Sequence, residues 1–148
     1  MVARTKLEIA APIEMVYEHL VLPDLFKNWS PTAYPEYEKK VECASDVEEG
    51  MRFRYAGKKH QFEAVLTDVE MPTRYAAEFT SKHFDYEEIF RLKRISECAT
   101  QVEAVATITM KSFWYRLVFF GSLNGCAPEQ KKSIKRLKKA VEKEWAGK

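Results

Sequence analysis

Residues 74–110 read RYAAEFTSKHFDYEEIFRLKRISECATQVEAVATITM, and apolar and polar side chains alternate along most of this stretch. A period of two places successive side chains on opposite faces, which is the pattern of a half-buried β-strand. Turn-forming residues interrupt the alternation at Ser81-Lys82-His83 and at Ser96-Glu97. The stretch therefore predicts three consecutive antiparallel strands joined by short turns.

Three further alternating segments precede this stretch, and turn signals at Glu48-Glu49-Gly50, Gly57-Lys58-Lys59 and Met71-Pro72-Thr73-Arg74 separate them. The apolar positions of the three segments are Tyr37, Val41 and Cys43, then Met51, Phe53 and Tyr55, then Phe62, Ala64 and Leu66. Together with residues 74–110 they predict six strands that follow one another as a meander.

The N-terminal residues predict one more strand followed by two short helices. Residues 4–11 alternate, and the period then changes at Pro12, which fits the first helical position. Four apolar residues follow at helical spacing, namely Ile13, Val16, Tyr17 and Leu20. A second short helix is predicted to begin at Pro23-Asp24, and its apolar anchors are Leu25, Phe26 and Trp29.

The last third of the chain returns to a helical period. Its apolar stripe consists of Ile134, Leu137, Val141 and Trp145. Upstream, residues 113–123 are apolar on nearly every side, and we expect Gly121, Gly125 and Pro128 to interrupt the helix. A helix over residues 113–145 would span about 50 Å, so only the sheet is large enough to cover it. The predicted fold is therefore α+β, with about seven antiparallel strands around a long C-terminal helix, in a single domain over residues 1–148.

Composition limits the classes of function. The 148 residues are 46% hydrophobic and 31% charged, with a net charge of +2, which is typical of a soluble globular protein without a general affinity for nucleic acid. We interpret the basic run over residues 131–139 as the solvated face of the last helix, and expect no nucleic-acid partner. Neither a signal peptide nor a transmembrane segment is expected. Three widely spaced cysteines, Cys43, Cys98 and Cys126, favour reduced thiols and a cytoplasmic location. The oligomeric state is left open.

The face of the sheet that would cover the helix is rich in aromatic residues, some with hydroxyl groups. Such a lining is typical of pockets for small molecules, although the same residues would also make an ordinary packed core. The candidate cavity-lining residues are Phe53, Tyr55, His60, Phe62, Tyr75, Phe79, Tyr86, Glu88, Phe90, Trp114 and Phe120.

Glu88 and His60 are the polar members of this set that could transfer protons. Glu88 falls between Tyr86 and Phe90 on the apolar face, where burial would raise its pKa. A bulge at Glu87-Glu88 would instead turn Glu88 to solvent. His60 shares the parity of Phe62, yet it also adjoins a turn, where a solvated histidine is ordinary. Both alternatives stay open for each residue.

Other site chemistry finds little support in the sequence. The histidines and cysteines show no paired spacing typical of metal ligands, so no metal is expected. No Gly-x-Ser-x-Gly elbow occurs, and no glycine-rich phosphate loop. We therefore expect no cofactor and assign no catalytic residue.

The order of several short motifs resembles the START-like (SRPBCC) superfamily, which includes polyketide cyclases, pollen allergens and activators of a chaperone ATPase. The motifs are Ala-Pro-x-x-x-Val-Tyr at residues 11–17, Pro-Asp-x-Phe-x-x-Trp at residues 23–29, Gly-Met-x-Phe at residues 50–53 and Val-x-x-Pro-x-Arg-Tyr at residues 69–75. The resemblance covers essentially the whole chain. It implies a helix-grip fold with a cavity between the sheet and the C-terminal helix. Gly121, Gly125 and Pro128 depart from the continuous helix of that superfamily.

Three functions follow from this resemblance, and the sequence does not separate them. The leading hypothesis is a protein that binds a small hydrophobic molecule, lipid-like or polyketide-like, in the cavity. The second is a cofactor-free enzyme of the cyclase or aromatase kind, which needs at least two polar side chains that converge inside. The third is a protein-interaction module of the chaperone-activator type, which acts through its surface.

Overall fold

The structure, a computed structural model, describes residues 2–30, 34–56, 63–80, 84–111 and 126–148. In these ranges the strands are β1 Val2–Ile9, β2 Tyr34–Tyr37, β3 Arg52–Ala56, β4 Glu63–Glu70, β5 Arg74–Thr80, β6 Phe84–Ser96 and β7 Ala99–Met110. The helices are α1 Ile13–Val21, α2 Pro23–Phe26 and α3 Cys126–Ala146.

The seven strands form one curved antiparallel sheet in the order β1-β7-β6-β5-β4-β3-β2. Strands β2 to β7 therefore follow one another as a meander, and the last strand, β7, pairs with β1. This arrangement, with two short helices after β1 and a helix at the C-terminal end, confirms the predicted α+β helix-grip fold.

One face of the sheet packs against the helices and is called the inner face below. Residues that pair directly across the ladders share a face, as Phe53 does with Ala64 and Phe79. These side chains belong to the same buried cluster as Leu137 and Val141 of α3. The hydrophobic core therefore lies between the sheet and the helices.

The bounds predicted for the strand over residues 37–43 are wrong. Strand β2 begins earlier and ends at Tyr37, and a 3₁₀ turn forms at Ala44–Asp46. The Asp46 carboxylate accepts the backbone N–H groups of Glu42 and Cys43 at 2.9 and 3.1 Å. A local side-chain acceptor of this kind competes with a sheet ladder for the same donors, so the strand stops before them.

Polar side chains along α3 make contacts with β1, β7 and α1. Near its start, the Gln130 amide accepts from Thr5 Oγ1 at 2.7 Å and donates to the carbonyls of Ala3 and Ala104. Near its end, Glu144 Oε2 lies 2.8 Å from Nε2 of His19, which is fully buried on α1. Both ends of the helix are thus tied to the N-terminal part of the fold.

The interruption expected in the last helix is only partly described. Pro128 lies in the first turn of α3, where its missing N–H breaks no helical hydrogen bond. Gly121 and Gly125, with the apolar segment before them, lie outside the described residues.

Two further sequence expectations concern membrane spans and cysteines. Among the helices of the described ranges, none is both long and apolar enough to cross a membrane. Cys43 and Cys98 are exposed, free cysteines.

Candidate functional site

A chain of aromatic rings crosses the inner face from β3 to β6. The ring of Tyr55 stacks on that of Phe79, with centroids 5.4 Å apart and planes 11° from parallel. Phe53 meets Phe79 edge to face at 5.8 Å, and Phe79 meets Tyr86 at 5.3 Å. Such pairs bring large apolar surfaces together in fixed geometry. They form one wall of the space between sheet and helices.

A line of hydroxyl groups runs beside this wall. Tyr37 donates its O–H to the carbonyl of Val21 at 2.6 Å, so the hydroxyl of Tyr75, 3.2 Å away, is the donor to Tyr37. Burial raises the pKa of both phenols well above the usual value, and they stay protonated. This line of donors leads from α1 into the sheet.

Glu88 lies on the inner face, between Tyr86 and Phe90 on β6. The ladder between β5 and β6 continues through Glu87 and Glu88 without a register shift, so the bulge considered from the sequence does not form. Ala77 and Ala106 are the direct neighbours of Glu88 on β5 and β7. Because these side chains are small, the carboxyl stands in a gap between larger aromatic groups.

Loss of hydration at this position changes the acidity of Glu88. Burial raises the pKa of its carboxyl from 4.5 to about 7. No hydrogen bond or ion pair to Glu88 is present among the described residues to offset this. Burial also raises the pKa of Tyr55, and the negative charge of Glu88 raises it further. A carboxyl that titrates near neutral pH thus faces phenols that remain protonated.

Tyr17 on α1 carries a second polar group without a described partner. Its side chain is 1% exposed, and its hydroxyl makes no hydrogen bond among the described residues. Burial raises the pKa of this phenol to about 12. An unsatisfied buried hydroxyl costs about 1–3 kcal/mol, so Tyr17 is a position where a ligand atom or a water molecule would gain a hydrogen bond.

The sequence did not identify Tyr17 or Tyr37 as members of the site. Tyr17 falls on the apolar stripe of α1, and Tyr37 closes β2, so each fitted an ordinary core position. Only the packing of α1 beside β2, which the sequence does not reveal, brings the hydroxyl of Tyr37 to Val21 and Tyr75 and the phenol of Tyr17 close enough to affect Tyr37.

The predicted lining residues divide into three groups. Phe53, Tyr75, Phe79 and Phe90 lie on the inner face and are buried. Tyr55, Tyr86 and Glu88 also lie on this face, yet they retain partial exposure. His60, Phe62, Trp114 and Phe120 lie outside the described residues.

The partly exposed residues of the inner face lie close to one another. Ile108 on β7, which pairs with Tyr86, is partly exposed as well. Tyr86 and Ile108 lie on one side of Glu88, whereas its other neighbours on this face, Ala77, Ala106 and Phe90, are buried. The partly exposed region of the inner face therefore carries one carboxyl, that of Glu88, and the phenols of Tyr55 and Tyr86. Within the described ranges, no group of three or more His, Cys, Asp or Glu side chains could hold a metal ion.

Solved structures similar to this chain share its fold across most of its length. A protein from Mesorhizobium loti has a TM-score of 0.71 at 13% identity, with 97% of this chain and 98% of that chain covered. DynU16, a protein of the dynemicin biosynthetic locus, has a TM-score of 0.70 at 15% identity, with 95% of this chain and 47% of that chain covered. An Hsp90 activator from Plasmodium falciparum has a TM-score of 0.59 at 13% identity, with 78% of each chain covered.

Sequence comparison gives the family. No curated protein matches the chain at a significant level. The model of the family described as "Activator of Hsp90 ATPase homolog 1-like protein" matches residues 10–113, from just after β1 to just beyond β7. The chain therefore belongs to this family, within the SRPBCC superfamily that its sequence motifs resemble.

Proposed function

We propose that this protein binds a small, mostly apolar molecule between the inner face of the sheet and α3. The observation that carries the proposal is the partial exposure of Tyr55, Tyr86 and Glu88, whose side chains point to the inner face. Groups that a filled core would cover are here left accessible. Aromatic walls with a few converging polar groups are the usual composition of ligand pockets.

Native mass spectrometry of the freshly purified full chain tests this proposal. We expect an additional mass of a small organic molecule that is lost when the protein is denatured. A chain without such a mass, and without saturable binding of hydrophobic dyes, would contradict the proposal. A cytoplasmic location is part of the same proposal, supported by the exposed free thiols of Cys43 and Cys98, which oxidising compartments tend to pair.

A second candidate is catalysis of a cyclisation without a cofactor. The convergence of Glu88 with the phenols of Tyr55 and Tyr75 favours it, because a carboxyl near neutral pKa transfers protons in both directions. Membership of DynU16 in a biosynthetic locus agrees with such chemistry. Isotope exchange in deuterated water would test it. If Glu88 removes a proton from an enolisable bound ketone, the ketone should gain deuterium from the solvent in the presence of the wild-type chain and not in the presence of E88Q.

The family description favours a third candidate, which acts through the surface. It names an activator of the Hsp90 ATPase, and the similar structure from Plasmodium falciparum is described as an Hsp90 activator. An ATPase assay with a purified Hsp90-type chaperone distinguishes this candidate. Stimulation that persists in E88Q would assign the activity to the surface and not to the gap around Glu88.

A further inference from the structure

Glu88 occupies the middle of the inner face without a compensating charge. It lies on β6, the third strand from the β1 edge of a seven-stranded sheet. On the inner face of the described strands the one basic side chain is Arg94, six residues further along β6, or about 20 Å away. Arg94 is exposed and pairs with Glu14 of α1. The carboxyl of Glu88 therefore has no basic neighbour on the inner face of the described strands.

The titratable groups that face Glu88 are phenols that stay neutral. Tyr55 on β3 and Tyr75 on β5 both respond to the charge of Glu88, after the larger effect of burial. Tyr37 on β2 donates onward to a backbone carbonyl, and on β7 the neighbours of Glu88 are Ala106 and Ile108. Along β6 itself, Tyr86 and Phe90 flank Glu88. Every described neighbour is thus uncharged, and most are aromatic.

A carboxylate within a set of aromatic rings is a site that favours a cation. Ring faces attract positive charge, and a partly buried carboxylate without a described partner is costly until a cation pairs with it. Provided that the proposed function is correct, we propose that the ligand is an apolar amine, and that its ammonium group pairs with Glu88 while its hydrocarbon body lies on the rings of Tyr55, Phe79 and Tyr86.

Proton linkage separates this proposal from a neutral ligand. At pH 7, a carboxyl with a pKa of about 7 carries about half a proton in the free protein. A bound ammonium stabilises the ionised carboxylate, so the proton is released on binding. A neutral ligand with a carbonyl or hydroxyl acceptor stabilises the protonated acid, so a proton is taken up. The two kinds of ligand therefore give proton exchange of opposite sign.

Isothermal titration of the full chain with two matched probes provides the test. The probes are 2-(2-naphthyl)ethylamine, which like lysine is protonated at pH 7, and 2-(2-naphthyl)ethanol. Titrations at pH 7 in two buffers of different ionisation enthalpy give the number of protons exchanged. We expect the amine to bind about tenfold more tightly than the alcohol, consistent with a pairing of charge and ring faces, and to release up to about half a proton.

Two variants assign the effect to Glu88. E88Q keeps the shape of the side chain and should reduce the preference for the amine to about twofold or less, with no proton release. E87Q removes an exposed carboxylate from the adjacent position on β6 and should change neither quantity. If E88Q does not fold, the contrast between the two probes on the wild-type chain still decides the matter.

The contrary outcomes are distinct. Equal binding of the two probes, or proton uptake with the amine, overturns the amine assignment and leaves the proposed function standing. Binding of neither probe, together with no ligand in native mass spectrometry, overturns both. A preference for the amine that persists in E88Q assigns the cation to another carboxyl and also overturns the inference.

Discussion

The Glu88 carboxyl keeps its proton to higher pH in the folded chain than in the unfolded chain. Since the folded pKa is about 7 and the ordinary value is 4.5, the folded state binds more protons between these pH values. Stability therefore falls as pH rises through this window, and the loss is complete above pH 7. Each pKa unit corresponds to about 1.4 kcal/mol, so the full loss in the free energy of unfolding is about 3 kcal/mol. The partial exposure of Glu88 reduces this value.

Replacing the carboxyl by a neutral amide should remove this pH dependence. We expect E88Q to raise the free energy of unfolding by about 1–3 kcal/mol at pH 8 and to leave it nearly unchanged at pH 4.5. Urea denaturation at the two pH values measures the difference. E87Q, exposed on the other face of β6, is the control and should change stability by less than about 0.5 kcal/mol. A gain for E88Q of equal size at both pH values would contradict the assignment.

The hydroxyls of Tyr17 and Tyr37 should respond differently to removal. Y37F deletes a donor to Val21 and an acceptor for Tyr75, so we expect a loss of about 1–2 kcal/mol in the free energy of unfolding. Y17F deletes a hydroxyl with no described partner, so its effect should be neutral or stabilising. Urea denaturation of both variants at pH 7 makes the comparison. Equal losses would mean that a bound molecule or water already pairs with Tyr17.

The start of α3 is attached to the sheet by the three hydrogen bonds of the Gln130 amide. Q130A removes its bonds to Thr5, Ala3 and Ala104, and we expect it to cost about 2 kcal/mol. Hydrogen exchange should show faster opening of the first turns of α3 than of the end held by Glu144. K131A, one residue further along and exposed, should have little effect. Uniform acceleration along the whole helix would contradict a local anchoring role.

The strands were predictable because their alternation is simple and their turns are well marked. The prediction from local sequence was wrong after Tyr37, because the apolar alternation typical of a strand continues at Val41 and Cys43. There the Asp46 carboxylate captures the donors that a ladder would need. Local sequence also could not choose between a regular strand and a bulge at Glu87-Glu88, since both residues are the same. The unbroken pairing with β5 decides this, and such pairing is a long-range property.

The polar part of the site is a property of the whole molecule. Its groups come from a helix and from four strands, namely Tyr17, Tyr37, Tyr55, Tyr75 and Glu88. Each position by itself is typical of a core residue or a strand residue. Only the order of the sheet, with β6 near its middle, and the packing of α1 against it bring these groups to one space. The aromatic character of the site was therefore predictable, whereas its hydrogen-bonding pattern was not.

A substitution by a larger side chain distinguishes a cavity from a packed core, because it costs stability only where the surrounding space is already filled. Ala106 on β7 lies beside Glu88 on the inner face, where it is 7% exposed. If the space beside it is open, A106L should change the free energy of unfolding by less than about 1 kcal/mol, because the added methyl groups meet no neighbour, and should weaken binding of a hydrophobic dye more than about tenfold. Urea denaturation and dye titration measure the two effects. A11L, at a fully buried position of the core cluster, is the matched control and should cost about 1–3 kcal/mol through overpacking. An equally large loss for A106L would show that the inner face is already filled and that no room exists for a guest molecule.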